Sequence, residues 1–255
     1  TEPSVDQLKI KIFADGADLD GIVRLAANPL IKGFTTNPSL MRKAGVTDYE
    51  IFARSVLKEI RDRPVSFEVF ADEFPEMAAQ ARVIASWGPN VFVKIPVSNT
   101  RGEFAGGLIR ELAYEGIALN VTALTTVRQV REVRDCLALK TPALVSLFAG
   151  RIADTGVDPL PMVAESVLAL KARPKAELVW ASPRELLNIF QADDVGCQVI
   201  TVTNDILAKL PTVGKDLDKY SLETVRMFRR DAVAVGYTIA TPAAAPRPAR
   251  VASAR

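Results

Sequence analysis

The chain has 255 residues, 49% of them hydrophobic, and a formal net charge of +2. That length suits one large core, an α/β barrel of about 250 residues being an ordinary single domain, and the near-neutral charge leaves no general footprint for nucleic acid or an anionic membrane. There is no histidine, which excludes Ser-His-Asp and Cys-His catalysis, removes the commonest zinc ligand and leaves Lys, Asp, Glu, Ser, Thr, Asn and Arg to carry any chemistry.

The start, Thr1 to Gln7, is polar and lacks a signal-peptide core. Eight short β-rich runs follow: Ile10 to Ala14, Gly33 to Thr36, Val65 to Phe70, Val91 to Ile95, Gly116 to Val121, Ala143 to Phe148, Glu177 to Ala181 and Cys197 to Val202. Their starts lie roughly 20 to 34 residues apart, the length of a βα unit. Between them, Asp48 to Arg61, Pro75 to Trp87, Arg101 to Tyr114, Thr126 to Leu137 and Pro159 to Lys171 have helical periodicity, several opening with Asp, Thr or an early proline.

Eight such units predict a (β/α)8 TIM barrel within a single domain spanning residues 1–240. An open doubly wound sheet is the runner-up, weakened because no GxGxxG follows the first strand. Ser221 to Val235 reads as an extra C-terminal helix whose apolar face packs on this barrel or on a neighbouring subunit. The Ala/Pro/Arg-rich tail, 241–255, is expected to be disordered and solvated. Cys136 and Cys197 are too few for a disulfide framework and read as buried thiols of a reduced, cytoplasmic protein. No apolar run approaches the roughly 18 residues of a membrane span.

Lys94 interrupts the apolar run Val91 to Val97. A buried ammonium is costly, so a lysine there is either paired or held for use as a nucleophile on a carbonyl. In this barrel type the active site lies at the C-terminal strand ends. Seven of the eight strands bring a polar group to that rim: Asp15, Asn37 in Thr35-Thr36-Asn37-Pro38-Ser39, Glu68, Lys94, Asn120 with Thr122, Ser146 with Phe148 and Arg151, and Ser182 with Arg184. Bland alternatives exist for several. Asn37 and Asp15 could cap helices, Glu68 could form a structural ion pair with Lys94, and Arg151 could pair with Asp154 one helical turn away.

Five segments resemble one family. Phe34-Thr35-Thr36-Asn37-Pro38-Ser39-Leu40 is similar to the transaldolase signature near the second strand, and Val93-Lys94-Ile95-Pro96 to its Schiff-base lysine segment. Asn120-Val121-Thr122 and Ser146-Leu147-Phe148-Ala149-Gly150-Arg151-Ile152-Ala153-Asp154 resemble two further motifs, and Ala181-Ser182-Pro183-Arg184 the phosphate-site segment, where the family often has an aromatic at the Pro183 position. The resemblance implies a lysine Schiff base with a ketose phosphate, either in a transaldolase or in a fructose 6-phosphate aldolase. Glu68 and Phe148 favour the transaldolase branch, since the aldolase branch tends to carry Gln and Tyr there. It further implies Lys94, Asp15, Glu68 and Thr122 as the catalytic set, with Asn37, Asn120, Ser146, Phe148, Arg151, Ser182 and Arg184 around the substrate. No metal or organic cofactor is expected. The partners implied are sugar phosphates and further copies of the chain, as a dimer, pentamer or decamer.

Overall fold

Strands such as Val91 to Ile95 are apolar at almost every position, so both faces need cover; parallel strands gain it from crossover helices outside and from their own closure inside. The computed structural model describes residues 3–16 and 18–241. It meets that need with a closed barrel, β1 through β8 in sequence order with β8 returning to β1, every neighbouring pair parallel. The strands are β1 Lys11–Asp15, β2 Ile31–Thr35, β3 Val65–Glu68, β4 Val91–Pro96, β5 Leu119–Leu124, β6 Ala143–Leu147, β7 Ala176–Trp180 and β8 Val199–Thr203. The helices are α1 Leu19–Ala26, α2 Pro38–Lys43, α3 Tyr49–Glu59, α4 Phe74–Ala85, α5 Gly106–Tyr114, α6 Val127–Cys136, α7 Ala149–Asp154, α8 Leu160–Leu170, α9 Leu187–Asp194, α10 Asn204–Leu207 and α11 Leu217–Val235.

Caps fix where helices begin. The Asp48 side chain accepts from the Ile51 amide to start α3, and Thr126 with Gln129 forms a capping box on α6. Of the boundaries that differ from the sequence expectation, two have a visible cause. The fifth strand begins at Leu119 rather than Gly116, because Gly116 adopts φ 86°, a left-handed turn after α5 that no strand accommodates. The fifth helix begins at Gly106 rather than Arg101, because residues 99–103 form a loop tied to its neighbours: Arg101 pairs with Glu73 at 2.6 Å and the Thr100 amide donates to Asp72 at 2.8 Å.

Alternation along the strands divides the interior in two. Outward residues such as Phe34, Phe67, Ile95, Leu119 and Trp180 join the helices in the main core. Inward residues Phe13, Leu144, Val179 and Val199, with Phe92 beside them, fill the lower lumen as a separate apolar plug. Phe13 lies flat against Gly33, where a Cβ would strike its ring. Above this plug the inward positions turn polar, so the barrel opens into a site at its C-terminal rim.

The described residues divide into two compact units, one ending at Val213 and the other beginning at Gly214. The second holds α11, capped by Asp216 through the Lys219 amide and closed by Gly236 at φ 75°. The tail of residues 242–255 lies outside the described residues. No described helix is long and apolar enough to cross a membrane.

Candidate active site

Lys94 sits midway along β4, with Glu68 and Asn120 as its direct neighbours on β3 and β5. It is 8% exposed. Its Nζ donates to the Thr36 carbonyl oxygen at 2.9 Å and lies 3.5 Å from Glu68 Oε2. Lys94 therefore has one neutral hydrogen-bond acceptor and, at salt-bridge distance, one carboxylate. The pairing that the sequence allowed as a structural alternative is present, in a cavity of about 430 Å³ rather than in a sealed core.

Asp15 closes β1 on the opposite wall. It keeps a little surface toward the cavity, but its carboxylate is ringed by protein, and burial pushes its pKa above the ordinary carboxylate value. The Lys94 charge, the Thr35 hydroxyl at 3.0 Å and the nearby Asn37 side chain oppose that shift. Asn37 also caps α2 by accepting from the Leu40 amide at 2.9 Å, with Pro38 in the first turn. One residue thus starts a helix and faces the site.

A hydrogen-bonded relay crosses the floor. Ser146 Oγ donates to Asn120 Oδ1 at 2.7 Å, and Asn120 Nδ2 donates to Ser66 Oγ at 3.0 Å. Thr122 is buried facing the cavity, and its hydroxyl has no partner among the described residues. A buried polar atom of this kind requires a water or a ligand group.

Two residues with left-handed backbones border the cavity: Ala123 at φ 68° and Ser182 at φ 56°. Such conformations cost on the order of 1–3 kcal/mol each and persist where surrounding structure imposes them. Ala123 marks the irregularity in β5–β6 pairing that follows Val121. Ser182 also lies against α7, where Gly150 packs so tightly that a Cβ there would land on the Ser182 carbonyl oxygen.

Phe148 and Arg151 line the wall beside Ser182, the Arg151 guanidinium lying 5.7 Å from the Phe148 ring centroid. Arg184 is not among the lining residues. Its Nε meets Asp154 Oδ1 at 3.0 Å and a second nitrogen meets Oδ2, a bidentate pair that holds the Asp154 carboxyl below its usual value. Asp154 is thus engaged by Arg184, thirty residues away, rather than by Arg151 on its own helix.

The cavity brings together ten of the eleven candidate residues. Sequence reading passed over Thr201 and Thr203, through which the eighth strand also reaches the rim, and Ser66, the middle of the relay. The Thr201 hydroxyl meets that of Thr35. The signal was present as period-2 spacing, Ser66 with Glu68 and Thr201 with Thr203, but threonine in a strand reads equally as β-propensity. Among the described residues, no three His, Cys, Asp or Glu side chains gather as a metal-ligand set.

The family model described as transaldolase/fructose-6-phosphate aldolase matches residues 12–239. A "Probable transaldolase" of Dehalococcoides mccartyi is 33% identical over 202 residues, covering 79% of this chain and 90% of that protein. A "Probable transaldolase 2" of Listeria monocytogenes is 34% identical over 203 residues, covering 79% and 88%. The crystal structure of 2,3-dimethylmalate lyase, a member of the PEP mutase/isocitrate lyase superfamily, superposes with a TM-score of 0.53 at 13% identity, covering 95% of this chain and 89% of that one. This last likeness concerns the fold alone.

Proposed function

The chain belongs to the transaldolase/fructose-6-phosphate aldolase family, and from that premise we propose that it is a transaldolase, moving a dihydroxyacetone unit from a ketose phosphate to an aldose phosphate through a Schiff base on Lys94. The observation that carries this reading is the Lys94 amine, buried at the cavity floor within 3.5 Å of a carboxylate. Transfer of one proton to Glu68 frees the amine to attack the C2 carbonyl of the ketose. A second amine proton passes to the carbonyl oxygen as the carbinolamine forms, and Glu68, through a water held at the Thr122 hydroxyl, returns the first to that oxygen, which leaves as water. The resulting iminium accepts the electron pair of the C3–C4 bond. Asp15, across the cavity, takes the C4 hydroxyl proton as that bond breaks and gives it back when the acceptor aldehyde is attacked. Its raised pKa suits both directions of that exchange.

The enamine left behind keeps three carbons, whose hydroxyls face Asn37, Asn120 and Ser146. Arg151 and Ser182 take the phosphate, since a guanidinium offers several directed donors to phosphate oxygens. Arg184 joins them by exchanging Asp154 for phosphate. Phe148 packs along the sugar.

An aldolase that releases free dihydroxyacetone from the same intermediate is the second reading, and Glu68 with Phe148 weighs against it. Assay with fructose 6-phosphate in the presence and absence of erythrose 4-phosphate separates the two. Turnover that depends on the acceptor supports the transferase; equal turnover without it contradicts the transferase and leaves a lyase.

A further inference from the structure

The β2–β3 ladder pairs Phe34 with Val65 and Thr35 with Ser66, then ends as β2 turns away to start α2. Glu68 lies two residues beyond that last pair. Its own N–H and C=O consequently have no strand partner on the β2 side, while Val69 next to it bonds back to Lys94 on the other side. One side chain fills the gap. The Tyr49 hydroxyl accepts from the Glu68 N–H at 2.7 Å and donates to the Glu68 carbonyl oxygen at 3.0 Å. Both bonds go to a single residue, the one whose carboxylate faces Lys94.

The ring that carries this hydroxyl is itself fixed. Tyr49 opens α3, whose start is pinned by Asp48. Its ring packs against Phe70 at 4.5 Å, Trp87 at 5.6 Å and Phe67 at 6.2 Å between centroids. Burial raises the phenol well above its ordinary pKa, so it stays protonated and keeps donating. The clamp continues past the strand, where Gln80 Oε1 accepts from the Phe70 and Ala71 amides.

We infer that Tyr49 is a positioning residue for the reaction: by replacing the missing β2 partner of Glu68, its hydroxyl holds the Glu68 carboxylate beside Lys94, 3.5 Å from its amine in the resting site. This rests on the Schiff-base reading above. Tyr49 is not among the residues lining the cavity that holds Lys94 and acts through Glu68 alone. Proton transfer is sensitive to placement, an error of roughly 1 Å costing on the order of 100-fold.

The test follows adduct formation by borohydride trapping with fructose 6-phosphate, in wild type, Tyr49→Phe, Glu68→Gln and the double variant. Phenylalanine preserves the ring among its aromatic neighbours and deletes both hydrogen bonds. The trapping rate should fall about 10- to 100-fold in Tyr49→Phe, with KM changed less than about 3-fold. In the Glu68→Gln background the same change should cost nothing further, because the group it positions is already gone. Equal trapping rates in wild type and Tyr49→Phe overturn the inference alone. So does a second loss of the same size in the Glu68→Gln background. Absence of any adduct in the wild type overturns the Schiff-base reading and this inference with it. Amide hydrogen exchange in the unmodified protein gives an arm that needs no variant: the Glu68 amide should be protected like its strand neighbours, and rapid exchange there contradicts the clamp.

Discussion

Replacing Glu68 by glutamine removes one charge, keeps the shape and probes both halves of the Lys94 site. At 3.5 Å the Lys94–Glu68 attraction is about 5 kcal/mol for an effective dielectric near 20, before desolvation is subtracted. Desolvation offsets much of that, so the pair's net contribution is small, but removing one member strands the other charge. The Lys94 side chain is 10% exposed and retains the Thr36 carbonyl, which softens the loss. The expected destabilisation of Glu68→Gln near pH 7 is about 1–3 kcal/mol, below the roughly 3–5 seen for fully sealed pairs. For a unit of this size that lowers Tm by about 2–12 °C. Loss of the proton shuttle should cut kcat by about 10²- to 10⁴-fold. Calorimetry and steady-state turnover on the same preparation read both effects. A folded Glu68→Gln protein whose kcat stays within about 3-fold of wild type would refute the shuttle, since a positioned acid/base contributes at least about 10²-fold.

Asp15 carries a pKa raised by burial, so the folded state holds its proton to higher pH than the unfolded chain does. Its stabilising contribution is full below the unfolded value and is lost as pH rises through the folded one. Asp15→Asn should therefore unfold at higher temperature than wild type at pH 7–8, the gap closing as pH falls toward about 4, while activity is lost; thermal melts across that range decide it, and a variant no more stable than wild type at any pH contradicts the burial argument. Gly150→Ala places a methyl group on the Ser182 backbone, which cannot rotate away. The variant should lose about 1–3 kcal/mol or more by denaturant titration and weaken phosphate recognition, and a neutral outcome disproves the close approach. Arg151→Ala should raise KM for a phosphorylated ketose about 10- to 100-fold, as expected for a lost charge-assisted hydrogen bond. Arg184→Ala, starting from its pair with Asp154, should raise it less. The reverse order would exchange their roles.

Much of this was legible in the chain because the signals were local and repeated. The βα spacing gave the barrel, and the lysine inside Val91 to Val97 stood out against its own strand. What escaped depended on tertiary partners. Residues 101–103 sit at the start of a helical pattern, yet Arg101 reaches across to Glu73 while Glu103 pairs with Arg101 inside the same loop, and α5 begins only at Gly106. Local spacing offered Asp154 to Arg151, but the fold delivers Arg184 to it. Thr201, Thr203 and Ser66 were camouflaged as ordinary strand residues. The Tyr49 clamp joins a helix start to a strand end nineteen residues on, through a gap that exists only because β2 stops early.

The central claim is a covalent bond between Lys94 and a ketose phosphate, and borohydride reduction in the presence of fructose 6-phosphate tests it most directly. The protein should gain the mass of a reduced ketose-derived fragment, mapped by peptide sequencing to the segment Val93-Lys94-Ile95-Pro96, and Lys94→Met should gain none. No adduct in the native chain, or an adduct that persists in Lys94→Met, would contradict the account.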